Sequence, residues 1–142
     1  MGLLSILTGG ISKKYEAVQE LANSLSIEEA VYCYSLSLGH LCMYLDDPLD
    51  PSNSQISKTA YVEVIVALYE RLRGSDPWFG MSKGSFRMAL TKAVLQNSAG
   101  QGSFAIRSQL GKFDYQGNDR EWSNADQDRL GWHVIDMQET GP

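Results

Sequence analysis

Apolar residues recur every three or four positions through most of the first hundred residues, a spacing that predicts amphipathic helices. The first such stripe covers residues 11–25 and has charged and amide side chains on its other side. The second stripe, residues 27–45, is apolar nearly all round, so we expect this helix to be packed on several sides at the centre of the fold. Two more helices are predicted over residues 58–73 and from about residue 82 to 97.

Residues at the predicted helix ends support these boundaries. Residues 26–29, Ser-Ile-Glu-Glu, have the order of a capping box, in which the Ser hydroxyl accepts the N–H of the third residue after it and the Glu carboxylate accepts the Ser N–H. Ser82 or Ser85 is the candidate N-cap of the fourth helix. The two prolines of the stretch "DDPLDPSNSQ" cannot continue a helix, which separates the second helix from the third.

The C-terminal third has a weaker pattern. Residues 103–110 are compatible with a short helix or a strand, and residues 113–122 have the composition of turns and loop. Ser123 begins a second capping-box pattern, with Asp126 in place of Glu, which predicts a last helix to about Met137. We therefore predict a mostly α protein, an irregular bundle of four to six helices, and leave open a short β-hairpin in the C-terminal third.

The length of 142 residues predicts a single helical domain over residues 1–142, in which residues 1–10 form a flexible apolar N-terminal segment. That segment has neither the length nor the charge order of a secretory signal, and no run reaches the length of a membrane span. Two cysteines without a CxxC pair provide no disulfide or zinc framework. We expect a soluble cytoplasmic protein, with a membrane anchor at residues 3–7 as an alternative.

Charge is distributed unevenly along the chain. The formal net charge is −5, which argues against general nucleic-acid binding because phosphate neutralisation requires Lys and Arg. Residues 71–112 nevertheless contain seven basic residues against one acid, and both flanking segments are acidic. Two interpretations remain open: the segments neutralise one another within the fold, or they form a polarised surface that attracts a charged partner.

The stretch from Cys33 to Cys42 raises the question of a metal or thiol site, because it holds both cysteines and His40. On a helix, Cys33 and His40 share a face but lie about 10 Å apart along the axis. Cys42 points to roughly the opposite side, so the three groups cannot hold one zinc ion within this helix. We interpret them as core residues and expect no metal and no cofactor.

Candidate catalytic groups are sparse. His133 and Asp136 are three residues apart and can touch on a helix, but a His–carboxylate pair without a nucleophile motif is weak evidence of catalysis. The GxGxxA pattern at residues 100–105 follows a predicted helix instead of a strand, so no nucleotide cofactor is expected. An enzyme or metal protein that uses His133 with Asp136, or His40 with Cys33, remains the alternative to a non-catalytic protein.

The segment "KFDYQGNDREWSNADQD" places aromatic side chains among carboxylates, a composition typical of surfaces that recognise basic proteins. The predicted partner-binding residues are Asp114, Tyr115, Asp119, Glu121, Trp122, Asp126 and Asp128. The functional hypothesis is a small, acidic, non-catalytic protein-binding protein. An inhibitor or immunity-type protein that neutralises a basic partner fits this profile by analogy with a functional class.

Overall fold

The computed structural model describes residues 15–46, 58–73, 81–95, 101–110 and 121–140. Within these ranges the chain forms six helices and no β-strand. The helices are α1 (residues 15–23), α2 (Ile27–Asp46), α3 (Lys58–Leu72), α4 (Lys83–Leu95), α5 (Gly102–Leu110) and α6 (Asn124–Thr140). The prediction of a mostly α protein is confirmed.

The β-hairpin that the sequence leaves open is not supported. Residues 102–110, which are compatible with helix or strand in sequence, form helix α5. Residues 111–120 and the predicted N-terminal segment 1–10 lie outside the described residues. Elsewhere the predicted helices agree with α1 to α4 and α6 to within about three residues at each described end, and the largest difference is at α6, which continues from the predicted end at Met137 to Thr140.

Helices α2 and α3 together form the centre of the bundle. The sequence analysis places α2 there, and α2 indeed contacts α3, α5 and α6. Helix α3 is enclosed to a greater degree, because every residue from 60 to 69 is buried, whereas its sequence pattern indicates a single apolar face. A helix without an exposed face over ten residues must be covered on all sides, and α3 also contacts α4 and α6.

Serine N-caps define where three of the helices begin. The Glu29 N–H donates to Ser26 Oγ at 3.2 Å, and the Ser26 N–H donates to Glu29 Oε1 at 3.0 Å, so the predicted capping box is present. For α4 the cap is Ser82, whose Oγ accepts the Ser85 N–H at 3.1 Å. At α6 the cap is Ser123, whose Oγ accepts the Asp126 N–H at 3.1 Å.

Polar contacts near the helix ends hold neighbouring helices together. The Arg71 guanidinium donates to the Leu25 carbonyl at 2.8 Å, which ties α3 to the α1–α2 connection. The Tyr69 hydroxyl donates to the Met81 carbonyl at 2.8 Å just before α4, and the Tyr69 ring stacks on Phe86 with centroids 3.8 Å apart. These contacts hold α4 against α3 and leave the opposite side of α4 exposed.

Candidate functional site

Helix α6 has one buried face and one exposed face. Leu130, Val134 and Met137 are fully buried and pack into the core, which fixes the rotation of the helix about its axis. Trp132 lies on the other side, and 64% of its surface is exposed. A tryptophan side chain is rarely left this open, because burying it is among the larger apolar contributions that a residue can make.

Carboxylates surround this tryptophan. Asp128 and Asp136 are one helical turn before and after Trp132, and Glu139 follows two turns later; all three are exposed. Residues at these spacings share one side of a helix, about 6 Å apart along the axis for each turn of four residues. We call Asp128, Trp132, Asp136 and Glu139 the α6 outer face.

The predicted partner-binding residues fall into three groups. Glu121 and Asp128 are exposed, and Asp128 belongs to the α6 outer face. Trp122 and Asp126 are partly buried and take part in contacts within the protein. The remaining three, which lie outside the described residues, are Asp114, Tyr115 and Asp119.

Trp122 and Asp126 help to attach α6 to the rest of the bundle. The Trp122 ring packs at a tilt on Tyr32 of α2, with centroids 5.3 Å apart. The Asp126 carboxylate accepts the Ser123 hydroxyl at 2.8 Å and lies 3.6 Å from the Arg129 guanidinium. Both side chains therefore stabilise the fold where α6 begins. Trp132 is more exposed than Trp122, because more than half of its surface faces solvent.

A charged contact joins α6 to the start of α2. The Arg129 guanidinium donates to Glu29 Oε2 at 2.6 Å, while the other Glu29 oxygen closes the capping box with Ser26. The Ser26 N–H, and next the Arg129 side chain, lower the pKa of Glu29 below its usual value. Arg129 is the single Lys or Arg of α6, so its engagement with Glu29 leaves the outer face dominated by carboxylates.

Cys33 of α2 lies in the core, and His40 of the same helix is half-buried. Burial, and next the nearby Glu29 carboxylate, raise the pKa of Cys33 to about 12, and its Sγ lies 4.0 Å from the Leu130 carbonyl oxygen. A thiol with this pKa forms almost no thiolate near neutral pH, and thiolate is the nucleophile and metal ligand. His40 is half-buried, and burial lowers its pKa, which favours the neutral ring.

The second candidate pair, His133 and Asp136, lies on α6. His133 Nε2 lies 3.2 Å from the Leu21 carbonyl oxygen, so this imidazole joins α6 to α1. Asp136 is exposed on the α6 outer face. Among the residues that the structure describes, no group of three or more His, Cys, Asp or Glu side chains could hold a metal ion.

A small polar cleft lies between α1, α3 and α4. The Glu63 carboxylate, almost fully buried, pairs with the Arg87 guanidinium, which also lies over the Tyr15 ring at 5.7 Å from its centroid. Gln19 and Lys83 complete the polar lining. Its volume of about 50 Å3 admits a few water molecules and is well below the 300–1,000 Å3 usual for small-molecule sites.

Sequence reasoning missed Trp132, the central residue of the α6 outer face. The signal was present in the sequence, because Asp128, Trp132 and Asp136 repeat at intervals of four residues. Which face of α6 is exposed depends on which of its apolar residues are buried in the core, and the sequence alone does not determine this. Buried Leu130, Val134 and Met137 settle that choice in the structure.

The fold belongs to the all-α class, and its described surface combines an exposed tryptophan with carboxylates on one helix. No protein-family model, curated protein or solved structure matches this chain. No helix in the described ranges combines the length and apolar character required to cross a membrane.

Proposed function

We propose that this protein is a small non-catalytic binding protein that recognises a basic partner protein through the α6 outer face. The observation that carries the proposal is Trp132, 64% exposed between Asp128 and Asp136. A tryptophan supplies the large apolar anchor typical of binding hot spots. Neighbouring carboxylates favour a partner with Lys and Arg and accelerate its association.

The proposal extends the sequence-based hypothesis in one respect and keeps it in others. Trp132 becomes the anchor, Asp128 and Glu121 remain predicted contacts, and Asp114, Tyr115 and Asp119 remain predictions from sequence. An inhibitor or immunity-type protein that covers a basic toxin or enzyme is the form of this function that we favour. We place it in a reducing, cytoplasmic compartment, for which two buried, reduced thiols provide support.

The high pKa of the Cys33 thiol and the contact of His133 with the Leu21 carbonyl weigh against the catalytic alternatives. A membrane anchor at residues 3–7 remains a prediction from sequence. The proposal assigns partner binding to the α6 outer face, so removal of residues 1–10 should leave partner binding unchanged.

The test is affinity capture of partners from native lysate with three forms of the full chain. Wild type is compared with Trp132→Ala combined with Asp128→Asn and Asp136→Asn, and with a control carrying Met43→Ala, Glu16→Gln and Glu20→Gln. The control removes one exposed apolar side chain and two exposed carboxylates from other helices, so the two variants have equal net charge.

We expect one partner with a basic surface to be retained by wild type and the control and lost from the α6 variant. Its retention should decrease as salt rises from about 50 mM to about 300 mM, because exposed charges are screened over shorter distances. Equal capture by all three forms, or a partner with an acidic binding surface, would contradict the proposal.

A further inference from the structure

Helix α4 carries a second exposed face that the proposed function does not use. Met88 is 72% exposed and Leu95 is 79% exposed. These two residues are seven positions apart, so they lie on the same side of the helix at a separation of about 10 Å. Thr91 and Lys92, also exposed, lie between them. We call Met88, Thr91, Lys92 and Leu95 the α4 outer face.

The charge of α4 is opposite to that of α6. Helix α4 contains three basic residues and no acidic residue, and Lys92 is the one on the α4 outer face, since Arg87 pairs with Glu63 and Lys83 lines the cleft. The α6 outer face contains three carboxylates around one tryptophan. Both helices pack on α3 through their buried sides, and both outer faces remain exposed, so neither face covers the other within one copy.

We propose that the α6 outer face of one copy docks on the α4 outer face of a second copy. The inference depends on the proposed function, because it uses the same α6 face, and it adds a means of regulation. A copy whose α6 outer face is covered in this way cannot present Trp132 to a basic partner. Self-association and partner binding are therefore mutually exclusive at that face.

The spacing of the side chains on the two faces supports this contact. Met88 and Leu95 lie about 10 Å apart along α4, a separation that accommodates one aromatic ring between them, beside the smaller Thr91. A tryptophan placed there contacts the Met88 thioether, and sulfur–aromatic contacts are favourable. Lys92 then lies within reach of Asp128 or Asp136, each about 6 Å along α6 from Trp132.

Each copy offers one face of each kind, so the contact joins unlike faces of two copies. Two such contacts can close a twofold dimer, and single contacts can repeat along an open chain. One helix on one helix buries a small area, which places the contact in the weak, transient class. We therefore expect association that increases with protein concentration and decreases with salt.

The test is sedimentation of the full chain at protein concentrations from about 10 μM to about 1 mM, a range that detects weak contacts. Wild type should show an average mass that rises with concentration. Trp132→Ala alone should remain a monomer, and so should Met88→Ser combined with Leu95→Ser. All of the altered residues are exposed, and circular dichroism confirms that the variants are folded.

The decisive sample is an equimolar mixture of the two variants. One variant retains an intact α4 outer face and the other an intact α6 outer face, so a single contact can form. We expect a one-to-one dimer that does not grow further at higher concentration. Met43→Ser, an exposed methionine on α2, is the control and should associate like wild type.

Two results would overturn the inference: a wild type that remains monomeric to about 1 mM, a concentration at which a contact with a Kd of about 1 mM would already be detectable, or a variant mixture that remains monomeric. Neither result affects the proposed function, whose capture experiment uses dilute protein and a different partner. Conversely, if wild type self-associates but the α6 variant captures the same partner as wild type, the proposed function alone is contradicted.

Discussion

Glu29 connects two helices through its two carboxylate oxygens. Oε1 accepts the Ser26 N–H in the capping box of α2, and Oε2 accepts the Arg129 guanidinium of α6. The capping role can be predicted from four consecutive residues. The contact with Arg129 cannot, because it joins positions 100 residues apart and requires the packing of α6 on α2.

The pH dependence of stability should report this carboxylate. The pKa of Glu29 is lower in the folded state than its ordinary value of 4.5, so its contribution is fully present above that pH. The contribution is lost as the pH falls through the lower, folded-state pKa. Glu29→Gln should therefore be less stable than wild type near pH 7, and the difference should shrink below about pH 4.5 in urea unfolding measured at a series of pH values.

Arg129→Ala provides an independent check on the same contact. It removes the guanidinium that lowers the pKa of Glu29 and keeps the Ser26 N–H bond. The stability of Arg129→Ala should therefore depend on pH less than that of wild type and more than that of Glu29→Gln. A Glu29→Gln variant with the pH profile of wild type would show that the carboxylate contributes nothing to stability through its charge.

At the scale of helices, Gly102 is a position where α5 lies close against α2. A Cβ atom added there would meet Leu45 Cβ and would lie 3.0 Å from the Asp46 backbone nitrogen. Backbone cannot move aside as a long side chain can, so glycine is required for this contact. The requirement has no sequence signature beyond a glycine at a predicted loop end.

Gly102→Ala should lower the free energy of unfolding by about 1–3 kcal/mol, the usual cost of overpacking. Gly131→Ala is the matched control, because a Cβ added at Gly131, inside α6, meets no atom within 4 Å. That change should raise stability by about 0.5–1 kcal/mol through helix propensity. Urea unfolding measures the sign of the change in the free energy of unfolding for each variant. Destabilisation by both substitutions would contradict the explanation by a close contact at Gly102.

Local patterns in the sequence predict helices better than they predict which faces are buried. The capping-box patterns at Ser26 and Ser123 locate the starts of α2 and α6, and the apolar stripe of residues 27–45 supports α2, because these signals depend on residues within a few positions. The helical state of α5 could not be decided, since nine residues are too few to separate helical from strand periodicity. The exposure of Trp132 depends on tertiary packing, which local signals do not contain.

For the whole molecule, the described ion pairs show how the uneven charge is partly compensated. Arg87 of the basic middle segment pairs with Glu63 of the acidic first segment, and Arg129 pairs with Glu29. The first of the two interpretations from sequence, neutralisation within the fold, therefore holds for Arg87. The exposed Lys92 lies on α4 and the exposed carboxylates lie on α6, so the second interpretation, a polarised surface that attracts a charged partner, stays a prediction.

Unfolding should be cooperative across the bundle, because α2 and α3 contact α6 through fully buried side chains. Leu130→Ala should cost about 2–5 kcal/mol, the range for truncating a buried leucine. The unfolding midpoint of this variant should shift to lower urea concentration by the same amount whether it is followed by tryptophan fluorescence or by far-ultraviolet circular dichroism. A fluorescence transition that precedes loss of helical signal would mean that α6 unfolds separately.

The enclosed thiols have a practical consequence for experiments on this protein. Cys42 is 7% exposed, and Cys33 is fully buried with its pKa raised to about 12, so alkylating reagents should react with neither at a useful rate while the chain is folded. Replacement of exposed Met43 by cysteine would then create one selectively reactive position. A fluorophore or spin label could be attached there with both native cysteines left in place.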